Sequence, residues 1–191
     1  MTHISRRGFI AAAGGTLAAA WLTADAAKLI AAGEYAERAG NENPPPPFQF
    51  LTPAQAADLD AATSQIIPSD ETAGAHEARV VYFIDTSLAT WAKEQRPEFT
   101  KGLAELRTRA ANASPPARSF AALSEDQRHA VIASLEKDAH PFFFLLRGAT
   151  VAGMFSNPSY GGNFEKAGWK LLGFQDRFSW AAPFGWYDAN A

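Results

Sequence analysis

Few side chains in this sequence could do chemistry, and their spacing excludes most of what they might do. There is no cysteine. That removes thiolate nucleophiles, thiolate-held zinc or iron–sulfur sites and Cys-x-x-Cys-His haem attachment. The four histidines are His3, His76, His129 and His140. None pairs at i, i+4 or stands beside a glutamate in a metal-binding pattern, so surface or helix-capping roles are expected. No Gly-x-Ser-x-Gly elbow is present, which leaves serine hydrolase chemistry without a foothold. Gly161-Gly162 could cradle a phosphate only with a strand before it, a helix N-terminus after it and the Gly-x-Gly-x-x-Gly spacing. A helix is expected before it and the spacing is absent, so the pair reads as a tight positive-φ turn presenting Tyr160 and Asn163. Asp85 lies inside the apolar run Val80, Val81, Phe83, Ile84, Leu88 and Trp91. A buried carboxylate is costly unless paired. It is therefore expected to be structural, bonding Arg79 or a neighbouring helix cap. The sequence thus offers no catalytic, cofactor-binding or metal-ligating constellation of its own.

The elements around these residues read as helices. Hydrophobic residues make up 47% and charged residues 19% of the 191, which describes a globular chain. Thr52-Pro53-x-Gln55 opens a helix over residues 53–67, with a good N-cap, proline at the first helical position and a closing glutamine. Further helices are expected over 75–95, 97–111, 125–139 and 141–155, with a short one possible over 164–172. Ala130, Val131, Ser134 and Leu135 should face inward on the fourth. The fifth, with Phe142 to Leu146, Val151, Met154 and Phe155, is apolar on nearly every side and should be central. Phe120-x-x-Leu123-Ser124-x-x-Gln127 echoes Phe48-x-x-Leu51-Thr52-x-x-Gln55, an echo that two capping boxes explain without duplication. No stretch keeps a strand period. The fold expected is mostly α, a single small domain of about five helices with an irregular, aromatic-rich C-terminal segment.

The N-terminus carries a different signal. Ser5-Arg6-Arg7-Gly8-Phe9-Ile10 precedes an uncharged run over residues 9–22, and Ala24-Asp25-Ala26 supplies a small-x-small pattern that Ala18-Ala19-Ala20 rivals. This is the layout of a secretory signal, too short and weakly apolar for a span of roughly 20 residues. Arg6 and Arg7 with Phe9 resemble the twin-arginine leader that exports already folded proteins, which implies a periplasmic location. Residues 1–26 are then the signal. Residues 27–47 read as an Ala/Pro-rich linker ending in four prolines, a stiff spacer of roughly 12 Å at about 3.1 Å each. Residues 48–191 are the helical domain. The formal charge is −3 and no basic block exists, which argues against a nucleic-acid partner.

Aromatic residues crowd the end of the chain: 13 of 23 fall in the last 50 positions, among them Trp169, Phe174, Phe178, Trp180, Phe184, Trp186 and Tyr187. They could complete the core of a small domain. An irregular aromatic segment is hard to bury on its own domain, however, and Trp and Tyr are enriched where proteins meet, so a partner interface is the favoured reading.

The run Phe50-Leu51-Thr52 through Ile66-Ile67-Pro68, then Gly74-Ala75 and Tyr82-Phe83-Ile84-Asp85, resembles the gluconate 2-dehydrogenase subunit 3 family. So does Phe155-Ser156-Asn157-Pro158-x-Tyr160-Gly161-Gly162-Asn163, followed by Gly168-Trp169 and Leu172-Gly173-Phe174, the most specific block. The resemblance spans roughly residues 48–175. It implies a non-catalytic small, or gamma, subunit like those of FAD-dependent glucose, sorbitol and fructose dehydrogenases. FAD would sit in a catalytic partner of the glucose–methanol–choline oxidoreductase type, and haem c in a cytochrome c subunit. The small subunit would help the flavoprotein mature and accompany it through the twin-arginine translocon, with membrane association only through partners. Asn157, Pro158, Tyr160, Gly161, Gly162 and Asn163, with Trp169, Phe174, Trp180 and Trp186, become the candidate interface. Two rivals remain: a subunit completing the flavin site through Tyr160, Asn163 or Trp169, and a free-standing periplasmic helical binding protein.

Overall fold

The computed structural model describes residues 26–114 and 119–176. Arg6, Arg7 and Phe9 of the signal, and Trp180 and Trp186 of the tail, lie outside the described residues. Seven α-helices and no strand occur among those described: α1 (Ala26–Asn41), α2 (Pro53–Ile66), α3 (Val80–Ala89), α4 (Arg96–Ala113), α5 (Glu125–Lys137), α6 (Pro141–Phe155) and α7 (Ala167–Leu171). None of them is long and apolar enough to cross a membrane.

Three helix starts follow directly from local sequence. Thr52 accepts the Gln55 N–H at 3.3 Å while the Gln55 side chain accepts the Thr52 N–H at 3.0 Å, a complete capping box before Pro53. Ser124 and Gln127 repeat this at α5 with the same two distances. His140 caps α6, its Nδ1 accepting the Phe142 N–H at 3.2 Å, with Pro141 at the first helical position. Such caps satisfy donors that a helix otherwise leaves unpaired, at roughly 1 kcal/mol each.

The core gathers one face of each long helix. α2 packs on α3, α5 and α6, while α4 closes on α5. Leu59, Ile84, Leu88, Phe99, Leu106, Leu135, Leu146 and Met154 are fully buried. Each such side chain contributes roughly 1.5–3 kcal/mol by leaving water. Phe99 of α4 meets Phe142 of α6 edge to face, 5.9 Å between centroids.

Two buried carboxylates tie this core to the segments before the capped helices. Asp85 accepts backbone N–H bonds from Gln49 (2.7 Å), Phe50 (2.9 Å) and Leu51 (2.8 Å) and a hydroxyl bond from Tyr35 (3.0 Å). Asp58 accepts the Ala121 N–H at 3.0 Å and pairs with Arg107 Nε at 2.8 Å. Asp85 is thus bound at the approach to a helix, as expected, but Arg79 is not its partner. Arg79 donates to the carbonyls of Ala39 (3.0 Å) and Glu42 (2.7 Å) and lies 3.5 Å over the Phe164 ring.

Four expectations change. The Ala-rich half of the expected linker is α1, which packs on α3 and on the short turn Pro158–Tyr160 and buries Ala32, Tyr35, Ala36 and Ala39. The helix expected over 75–95 is only Val80–Ala89, because Arg79 sits at φ +54° and interrupts the helix before it. On α5, Ala130 is exposed, and Ile132 is buried beside Val131 and Leu135. α6 is covered on one side only, leaving Phe144 56% and Val151 44% exposed, since no described element packs over its outer face.

Candidate partner-docking site

The block 157–163 forms a rigid corner between α6 and α7. Asn157 Oδ1 accepts the Ser159 N–H at 3.0 Å and starts the turn Pro158–Tyr160. Gly161 then adopts φ +98°, a region open to glycine. Gly162 comes so close to α6 that a Cβ there would lie 2.3 Å from the Gly153 carbonyl oxygen. The glycine pair therefore serves chain-on-chain packing, and a phosphate cradle does not fit it. Asn163 is fully buried at φ +49°. Its amide donates to the Ser156 carbonyl at 2.8 Å and accepts the Gly168 N–H at 2.8 Å, pinning the end of α6 to the start of α7. The Phe164 N–H reaches the Ala78 carbonyl at 3.0 Å.

This corner presents aromatic side chains outward. Tyr160 packs edge-on against Trp91 at 5.9 Å, and Trp91 against Phe83 at 6.2 Å. Trp91 is 41% and Tyr160 42% exposed, a contiguous aromatic shelf at the end of α3. Trp169 donates its indole N–H to the Phe155 carbonyl at 2.9 Å and meets the exposed Phe174 at 5.0 Å. Of the candidate interface, Tyr160 and Phe174 are exposed, as is Asn157; Pro158 and Trp169 are half-buried. Gly161, Gly162 and Asn163 are buried and act by shaping the corner. Trp91 was not among the candidates, because helical spacing put it on the apolar face of α3. In fact α3 ends at Ala89, and the chain turns Trp91 outward.

On the other side of the corner lies an open groove of about 920 Å³. Its walls are Phe48, Val81, Tyr82 and Phe164, with Phe48 stacked on Tyr82 at 4.6 Å. Burial pushes the Tyr82 phenol above its ordinary range. The rim carries Lys170 and the pair His76 Nδ1···Asp60 Oδ2 at 2.7 Å. Glu77 is held below the ordinary carboxylate range, first by the Ser69 hydroxyl and also by the Gly74 N–H. A lone His–Asp pair could relay a proton, but the His76 side chain is two-thirds open to water and no metal-holding group of three ligands exists among the described residues.

The family model described as gluconate 2-dehydrogenase subunit 3 matches residues 53–176. The chain belongs to the gluconate 2-dehydrogenase subunit 3 family. No curated protein and no solved structure matches it. The family is that of a subunit of a gluconate dehydrogenase complex, consistent with an accessory role. The match contains the whole corner 157–163 with Trp91, Trp169 and Phe174, whereas α1 and the four prolines precede it.

Proposed function

We propose that this chain is the non-catalytic small subunit of a periplasmic FAD-dependent sugar or sugar-acid dehydrogenase. It docks on a flavoprotein of the glucose–methanol–choline oxidoreductase type, supports its maturation and carries it through the twin-arginine translocon. A cytochrome c subunit takes the electrons. FAD and haem c belong to those partners, and no residue of this chain is assigned to either. The observation that carries the reading is the Trp91–Tyr160 shelf, two large aromatic side chains that meet edge-on and stand half out of the domain. Aromatic anchors of this kind dominate binding energy where proteins meet. The rival in which this chain completes the flavin site finds less support: the NH2 and the carbonyl oxygen of the Asn163 amide and the indole N–H of Trp169 are already bonded inside the domain.

The test is export and activity in cells. Replacing Arg6 and Arg7 by lysine should leave both this chain and the flavoprotein in the cytoplasm. If only this chain stays behind, the carrier role is wrong. Full periplasmic dehydrogenase activity in a strain lacking this chain would sink the reading altogether.

A further inference from the structure

α1 lies before the family match, yet it covers part of the face formed by the turn Pro158–Tyr160 and α3. It packs on the turn Pro158–Tyr160 and on α3, and Gly40 sits so close that a Cβ there would be 2.9 Å from the Pro158 carbonyl oxygen. Among its described side chains, the buried side of α1 carries Ala32, Ala36 and Ala39 around Tyr35. Alanine gives up little apolar surface, so these three residues add little to the contact.

Its polar anchors are also of an unusual kind. Tyr35 donates to Asp85, and Arg79 holds the carbonyls of Ala39 and Glu42 at the end of the helix. Both anchoring groups keep other partners if α1 leaves. Asp85 retains the N–H groups of Gln49, Phe50 and Leu51, and Arg79 retains the face of Phe164. Detachment therefore leaves no buried charge unpaired, which is the usual reason a contact of this type cannot open. The chain from Asn43 to Phe48 keeps the freed helix attached.

We infer that α1 is a reversible strap over the docking face, displaced when the dehydrogenase subunit binds against the turn Pro158–Tyr160 and α3. The inference rests on the docking reading above and names the part of this chain that the partner must move. The strap also specifies what replaces it: a segment with small side chains able to approach Pro158, and a hydrogen-bond donor for Asp85.

Two full-length variants test this, with the separately purified FAD-loaded catalytic subunit as the probe. Tyr35→Phe removes one donor to a charged acceptor, so α1 should open roughly tenfold more often, read as faster amide hydrogen exchange in α1 with α3 and α6 unchanged. Affinity for the catalytic subunit should rise by a similar factor, because a larger fraction of the chain is competent to bind. Ala36→Glu, which places a charge in the buried face of α1 and changes no residue of the matched domain, should detach the strap and bind at least as tightly as Tyr35→Phe. If the wild type binds and either variant binds equally or more weakly, α1 is a fixed part of the surface and the strap is refuted. If neither the wild type nor the variants bind, the docking reading fails and the strap fails with it.

Discussion

Asp85 offers the sharpest test of how this fold is held. Its Oδ1 takes the N–H groups of Phe50 and Leu51, and its Oδ2 takes the Gln49 N–H and the Tyr35 hydroxyl. Asp85→Asn keeps the shape but must turn an NH2 group toward one of these pairs. The less costly choice faces Tyr35 and Gln49, because a hydroxyl can rotate to accept and Gln49 is exposed to water. The remaining bonds then change from charge-assisted to neutral. Bonds to charged groups contribute roughly 1.5–3 kcal/mol and neutral ones roughly 0.5–1.5. With one bond lost and the others weakened, the expected destabilisation is about 3 kcal/mol. At roughly 2–4 °C per kcal/mol for a domain of this size, Tm should fall by about 10 °C. Urea and thermal unfolding followed by circular dichroism measure both, and Tyr35→Phe, which removes one donor of four, should lose less than half as much. A loss under about 1 kcal/mol in Asp85→Asn would refute the picture of a carboxylate organising the approach to α2. Dehydrogenase turnover per assembled complex should stay unchanged, since the Asp85 carboxylate bonds only groups of this chain in its free state and is assigned no part in the reaction.

Three further outcomes are expected. Trp91→Ala and Tyr160→Ala should each weaken binding of the catalytic subunit by roughly 30-fold or more, the loss typical of an interface anchor, with melting temperature little altered; unchanged binding in both moves the interface elsewhere. Gly162→Ala should cost about 3 kcal/mol, because its Cβ meets the Gly153 backbone, whereas Gly148→Ala on the open side of α6 should stabilise by about 0.5–1 kcal/mol; equal chemical denaturation midpoints would contradict this. Glu77 has a lowered folded-state pKa, so the stability it contributes is present above the ordinary value of 4.5 and is lost as pH falls through the lowered one. The Tm gap between wild type and Glu77→Gln should therefore be open at pH 7 and close in acid; a gap that persists at low pH would exclude that carboxylate as its source.

The parts of the fold legible in sequence are those encoded locally. Thr52 with Gln55, Ser124 with Gln127, and His140 with Pro141 mark helix starts through bonds spanning two or three residues, and all three are where their spacing puts them. What was not legible depends on distant partners. α1 presents alanines that look alike on every side, and its inner face is chosen by Arg79 and Asp85, some 40 and 50 residues away. The left-handed backbone of Arg79, which starts α3 late, has no signature of its own among apolar neighbours. In the candidate site, Gly161-Gly162 was readable as a tight turn. That Asn163 would face inward was not, because its partners are the backbone of Ser156 and Gly168. Phe144 and Val151 match a buried pattern and stand exposed; periodicity reports which residues are apolar, and not whether another element covers them.

The grip of Asp85 on three successive amides also sets a limit on what the chain can tolerate there. A carboxylate that reads this segment only through its main-chain N–H groups is indifferent to the side chain at 49, which is exposed, but intolerant of any residue lacking that hydrogen. The four prolines at 44–47 could lengthen toward α1 without harm to this contact, yet none could stand at 49, 50 or 51. An insertion between 48 and 52 would offer the carboxylate the wrong amides and misplace the start of α2. The most proline-rich stretch of the protein thus ends two residues short of the place where proline is forbidden, and the boundary is drawn by a side chain on another helix.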